Sequence, residues 1–101
     1  MSMVNRGIHP VIPEIGSVGA SGDLVPLAHM ALAMMGEGNV EYNGHVIKAD
    51  SALQKEGIYK VRLDSKEGIA LINGTSVMTA LGALACYDSN KLIREAEIAA
   101  S

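Results

Sequence analysis

A chain of 101 residues, 49% of them hydrophobic, with 8 basic against 11 acidic side chains and a formal net charge of -3, is one domain's worth at most and offers no basic stripe for a nucleic-acid backbone or an anionic membrane surface. Its apolar matter is Ala, Leu, Ile, Val and Met, with no Phe or Trp and three Tyr, which suits close helix packing better than an aromatic-centred core. Cys86 is alone, which excludes an internal disulfide and points to a reducing, cytoplasmic setting, and Asn5, Arg6, His9 and Pro10 interrupt any apolar run of the kind a signal peptide needs.

From Ile8 to Ile15, Pro10 and Pro13 forbid a regular helix and favour an extended approach to the glycine loop Gly16-Ser17-Val18-Gly19-Ala20-Ser21-Gly22-Asp23. A helix from Leu24 to Met35 follows, with Asp23 as its N-cap, Pro26 tolerated in the first turn and Gly36 placed for a left-handed C-terminal residue. No face of this helix is polar, so it needs cover on all sides, and at twelve residues it is too short to span a bilayer. Val40 to Ile47 alternates around Asn43-Gly44 and predicts a two-stranded hairpin. Asp50 to Glu56 reads as a short helix closed by Gly57, and Tyr59 to Leu63 as a brief extended piece. Lys66 to Ile72 forms a helical turn delivering Asn73-Gly74-Thr75, after which Thr75 caps a helix from Ser76 to Ala99. Small residues in its first half (Ala80, Gly82, Ala83) let neighbouring helices approach closely, and its second half turns polar from Asp88.

Three glycines at a spacing of three give the loop a backbone that visits positive φ and can be approached closely. A phosphate-binding loop would end in Gly-Lys-Ser/Thr, whereas this one ends in Gly22-Asp23; Gly16, Gly19 and Gly22 do not fit G-x-G-x-x-G, and Ser21 lacks the second-following glycine of a nucleophile elbow. His9, His29 and His45 share no metal-ligand spacing. Taken alone, the tripeptide Ala20-Ser21-Gly22 is also compatible with an ordinary turn, and Asn73 with a residue that merely precedes a helix.

Three blocks in order, Asn5-Arg6-Gly7-Ile8-His9-Pro10-Val11-Ile12-Pro13, Gly19-Ala20-Ser21-Gly22-Asp23-Leu24-Val25-Pro26-Leu27-Ala28-His29 and Lys66-Glu67-Gly68-Ile69-Ala70-Leu71-Ile72-Asn73-Gly74-Thr75, together resemble the aromatic amino acid ammonia-lyase family, and within it the histidine ammonia-lyase branch most. The resemblance covers nearly the whole chain, while the chain covers a minor central part of a family subunit. It implies a mainly α fold, a piece of a helical lyase fold around the loop with a small β-hairpin, in which residues 1–101 form a partial core domain truncated at both ends.

In that family the Ala-Ser-Gly segment closes on itself to methylidene-imidazolone, which implies Ala20, Ser21 and Gly22 as the catalytic residues, Asp23 and Leu24 as supporting ones, Asn73 as a contact to ring or substrate carboxylate, and neither external cofactor nor metal. The residue types suit such a closure. The Gly22 nitrogen must reach the Ala20 carbonyl carbon, which a side chain at Gly22 would obstruct, and Ser21 supplies the hydroxyl lost as water. The implied reaction is non-oxidative removal of ammonia from an L-amino acid, such as histidine to urocanate, in a cytoplasmic homotetramer, with the N-termini of the helices at Leu24 and Ser76 converging on the ring.

Ser76 stands where histidine-specific members commonly carry Gln, a choice shared with relatives acting on tyrosine or phenylalanine, including 2,3-aminomutases; the His9 to Pro13 context resembles bacterial histidine lyases. Tyr42, Tyr59 and Tyr87 lie outside any block matching the family's catalytic tyrosine, and Arg6, Arg62 and Arg94 do not stand where its substrate arginine would. By itself the chain is therefore expected to be without turnover, and a catalytically inactive piece serving only in assembly is the competing reading.

Overall fold

The computed structural model describes residues 1–20 and 22–101. In chain order its elements are α1 (Ser2–Asn5), β1 (Ile8–Pro10), α2 (Leu24–Met34), β2 (Asn39–Tyr42), β3 (His45–Lys48), α3 (Ala49–Lys55), α4 (Glu67–Ile72) and α5 (Ser76–Ala100). About half of the chain is helical, as the composition and the resemblance lead one to expect.

The hairpin forms at the expected place. Asn43 and Gly44 take φ of 52° and 76°, the pair of positive values that a two-residue turn matched to strand twist requires, and Tyr42 faces His45 across it. The ribbon has three strands rather than the expected two. The extended run after Gly7 pairs antiparallel with β2, placing Ile8 opposite Tyr42 and Pro10 opposite Val40, and the Val11 amide continues the ladder to the Asn39 carbonyl at 3.0 Å. Because β1 is an edge of the order β1-β2-β3, Pro10 fits without costing a central ladder bond. The turn α1 was not foreseen; no sequence signal marks it beyond Asn5 preceding Arg6-Gly7.

Both predicted glycine-terminated helices end in the same way. At the end of α2 the Gly36 amide donates to Ala33 and the Glu37 amide to Leu32, and at the end of α3 the Gly57 amide donates to Gln54 and the Ile58 amide to Leu53. This paired bonding around a left-handed glycine (φ 84° and 64°) is the Schellman arrangement, which satisfies carbonyls that the helix itself leaves free. It also turns Ile58 back onto the core. Residues 59–63, expected to be extended, form no strand; the Val61 amide bonds the Met34 carbonyl at 2.9 Å.

The core gathers Ile8, Ala33, Val40, Ala49, Ala52 and Leu53, with Met3, Tyr42, Ile47 and Ile58 around it, so it lies between the sheet, α2 and α3. Charged and phenolic groups tie its rim. Tyr42 donates its hydroxyl to Glu56, Arg6 reaches the same carboxylate at 3.5 Å, and Lys60 pairs with Asp50 at 2.5 Å. The helix α2 is covered on one side, by Pro26, Leu27, Ala31 and Ala33, while Val25, Met30 and Leu32 stay exposed.

No residue of α5 is buried. The radius of gyration, 17.2 Å, exceeds the roughly 13 Å of a compact domain of this length because this helix projects from the rest. The run Glu67–Ala100 is long and apolar enough to cross a membrane by length and composition, a stretch the sequence reading did not single out. It is broken between α4 and α5, where Asn73 leaves the helical region at φ -88°, ψ 81°.

Candidate active site

The break at Asn73 lies against the glycine loop. Gly22 is buried and takes φ +118°, a region closed to residues with a Cβ. A Cβ built there would overlap the Gly74 carbonyl oxygen and stand 2.9 Å from its carbon and 3.6 Å from the Thr75 nitrogen. The glycine is thus required twice, by its own dihedral and by the backbone pressed onto it. Gly74 in turn lies 3.8 Å, measured from the position a Cβ would take, from Leu27 of α2.

Gly22 is two residues before α2, and Thr75 immediately precedes α5. The N-termini of these two helices therefore meet at one point in the chain. Each contributes unpaired amides and the positive end of a helix dipole, so a negative charge developing at this point would be stabilised.

Asp23 holds the N-cap position of α2, with an extended backbone at φ -99°, ψ 92°, but its side chain makes no capping bond. The sequence removes one of the two partners. A cap bonds the second or third helical amide, and here the third helical residue is Pro26, which has none. The carboxylate instead turns back over the loop, where Asp23 Oδ1 accepts the Ser17 hydroxyl at 2.9 Å and stands 3.4 Å from the position of a Cβ on Gly19. Met78 of α5 lies over Gly19 from the other element, its sulfur and methyl 3.6 Å from the position a Cβ on Gly19 would take. Thr75 likewise holds a cap position without a side-chain cap bond.

Of the residues singled out from sequence, the structure brings Gly22, Asp23 and the Asn73-Gly74-Thr75 turn together. Ala20 is exposed, Leu24 half-buried, and Asn73 exposed, with its amide bonded to the Ile69 carbonyl at 2.9 Å. Ser21, read as the source of the electrophilic carbon, lies outside the described residues. Ser17, Gly74 and Met78 were not anticipated. The proline three residues after Asp23 was the available signal for Ser17, and for Met78 there was none.

Beside the loop opens a recess of about 550 Å³ whose lining includes Pro13, Glu14, Ser17, Asp23, Val77 and Leu81. Its charged groups are both carboxylates, so what the described residues offer here is an apolar wall and acceptors for a cationic or hydrogen-bond-donating group. The phenol Tyr42 and the guanidinium Arg6 are committed to Glu56 at the far rim of the core.

Residues 1–101 match the family described as aromatic amino acid lyase. The chain is 59% identical over 99 residues to a histidine ammonia-lyase of Alkaliphilus metalliredigens, an alignment taking in 98% of this chain and 20% of that protein. Among solved structures it superposes on histidine ammonia-lyase from Trypanosoma cruzi with a TM-score of 0.80 at 43% identity, over 92% of this chain and 18% of that one. Against phenylalanine aminomutase of Pantoea agglomerans the TM-score is 0.75 at 47% identity, over 89% of this chain and 17% of that one. The chain thus spans about a fifth of the length of the relatives it matches, and it belongs to the aromatic amino acid lyase family.

Proposed function

We propose that the protein carrying this segment eliminates ammonia from an L-amino acid, L-histidine giving urocanate, at a methylidene-imidazolone ring formed from Ala20, Ser21 and Gly22. The observation that carries the reading is the cradle at Gly22, where φ +118° and the overlying Gly74 carbonyl leave no room for a side chain on the residue whose nitrogen must close the ring. In the closure, the Gly22 nitrogen bonds to the Ala20 carbonyl carbon. The Ala20 oxygen leaves as water with the Gly22 and Ser21 amide protons, and Ser21 loses its hydroxyl and α-proton as a second water. No external cofactor or metal is required. The finished ring supplies an electrophilic methylene for the substrate amine, which makes ammonia a better leaving group.

The chain's own residues have three tasks. The N-termini of α2 and α5 face the loop with partial positive charge and lower the cost of negative charge on it. Asn73, in the turn that follows α4 and closes on Gly22 through Gly74, takes the role of hydrogen-bonding the ring or the substrate carboxylate in this reading. Val77 and Leu81 form the apolar wall of the adjoining recess. The base that removes the β-proton and the cation that clamps the carboxylate are assigned to parts of the subunit beyond this segment, which is a partial core domain of a cytoplasmic homotetramer in this reading. General-base assistance is worth about 10²- to 10⁴-fold, so the 101-residue chain alone should show no turnover.

A second reading, a tyrosine or phenylalanine lyase or 2,3-aminomutase, is favoured by Ser76 following Asn73-Gly74-Thr75 and by the 47% identity to the Pantoea aminomutase. Intact mass of the full-length protein tests the ring, whose formation removes two waters; incubation with L-histidine, L-tyrosine and L-phenylalanine, following the conjugated acids by absorbance and β-amino acids by chromatography, tests the substrate. An unmodified mass would overturn the ring. Turnover of an aromatic substrate in preference to histidine would overturn the histidine assignment.

A further inference from the structure

We propose that Ser17 is a positioning residue for the loop, its hydroxyl clasping the Asp23 carboxylate so that the backbone between them is held in the shape from which Gly22 can close onto Ala20; this rests on the cyclisation reading above. Three observations carry it. Among the described residues, no backbone hydrogen bond joins any of residues 12–20 to another part of the chain, and residues 11–20 are exposed in this segment, so within it neither a ladder nor burial fixes the stretch that leads to Ala20. The Ser17 to Asp23 bond, 2.9 Å long, links positions six apart across the segment that must react. Finally, Asp23 is available for it because its carboxylate makes no capping bond in α2, where Pro26 removes one of the two amides a cap could use.

A hydrogen bond from a neutral hydroxyl to a carboxylate is stronger than one between neutral groups. Its loss frees residues 17–20, the side of the loop that the Gly74 wall does not hold, and a closure that needs two backbone atoms in near-attack geometry is slowed in proportion to the fraction of time that geometry is lost. Ser17 acts through Asp23, its hydrogen-bond partner.

The test uses the full-length protein with Ser17→Ala, Ser17→Thr and Ser17→Val. Freshly folded protein is sampled over time for the fraction of subunits lacking two waters by intact mass, beside the denaturation midpoint of each variant. The expected result is ring formation about tenfold slower in Ser17→Ala and Ser17→Val, with parent-like rate in Ser17→Thr and no difference in midpoint between the Thr and Val variants large enough to account for it. Threonine and valine are isosteric, so the pair isolates the hydroxyl even if the alanine variant folds poorly. A parent-like rate in both hydroxyl-free variants would overturn the proposal while leaving the cyclisation reading intact, as would equal slowing in Thr and Val. A parent protein that never loses two waters would overturn the cyclisation reading itself and this proposal with it.

Discussion

Replacing Gly22 with Ala should damage the fold and the loop chemistry together, by an amount that the structure lets one work out. Two costs add. Holding a residue with a Cβ at φ +118° is of the order of 1–3 kcal/mol. Relieving the overlap with the Gly74 carbonyl demands a backbone shift in a packed region, typically about 1–3 kcal/mol. The sum, about 2–6 kcal/mol, is a large fraction of the roughly 5–15 kcal/mol by which domains are stable. The obstacle is backbone, so no side-chain rotamer can step aside. Gly68 in α4 is the internal control: a Cβ there meets nothing within 4 Å, and in a helix Gly68→Ala should be neutral or stabilising by up to about 1 kcal/mol. The assay is denaturant unfolding of the full-length variants with intact mass on the same samples. Gly22→Ala with parent stability and a complete loss of two waters would refute the account of this turn.

Leu53→Ala empties the centre of the core cluster, where Leu53 is 1% exposed, and should cost about 2–5 kcal/mol as a shift of the urea midpoint; a cost under 1 kcal/mol would contradict the core assignment. Asp50, whose hydrogen bond to Lys60 holds its carboxyl below the usual carboxylate range, contributes stability above about pH 4 that fades as pH falls through its lowered folded-state value. The stability difference between parent and Asp50→Asn should therefore shrink on the acid limb, and a constant difference there would count against the pair. Tyr42, raised above an ordinary phenol by donating to Glu56 and by partial desolvation, has the opposite sign: its contribution is present below about pH 10 and lost as pH rises through its raised value, which Tyr42→Phe should abolish. The isolated chain should self-associate, because α5 has no buried residue and exposes Leu81, Leu84, Leu92, Ile93 and Ile98; a dilute, stable monomer in sedimentation would be the contrary result.

Local chemistry made most elements legible. Asn43-Gly44 marked the hairpin, Gly36 and Gly57 marked two helix ends, and Asn73 marked the break between α4 and α5, because in each case the signal is a residue type that its own dihedrals demand. What escaped was non-local. The third strand forms because Ile8 and Val40 share a core that periodicity over three residues cannot reveal. The side-chain cap expected of Asp23 is absent, one of the two amides a cap can bond being missing at Pro26, and α2, expected to need more cover than so short a chain can give, packs on α4, α3 and β1 while Val25, Met30 and Leu32 stay exposed. The loop's importance was readable from its glycines, yet the reason for Gly22 in particular was not, since the atom that forbids a side chain belongs to Gly74, fifty-two residues away.

That separation explains why the site falls where it does. Every residue of the core cluster lies between Ile8 and Leu53, whereas α5 has none that is buried, so the first half carries the packing and the second supplies surface. The two are joined where α4 packs on α2 and the Asn73-Gly74-Thr75 turn closes on Gly22. A loop on the stable half alone would be free to relax away from a strained φ. A helix terminus on the unsupported half alone would have nothing to face. Strain of this kind persists only where surrounding structure over-determines it, and here the constraint comes from both halves at once: α2 fixes the chain after Gly22, and the turn before α5 fixes the wall against it.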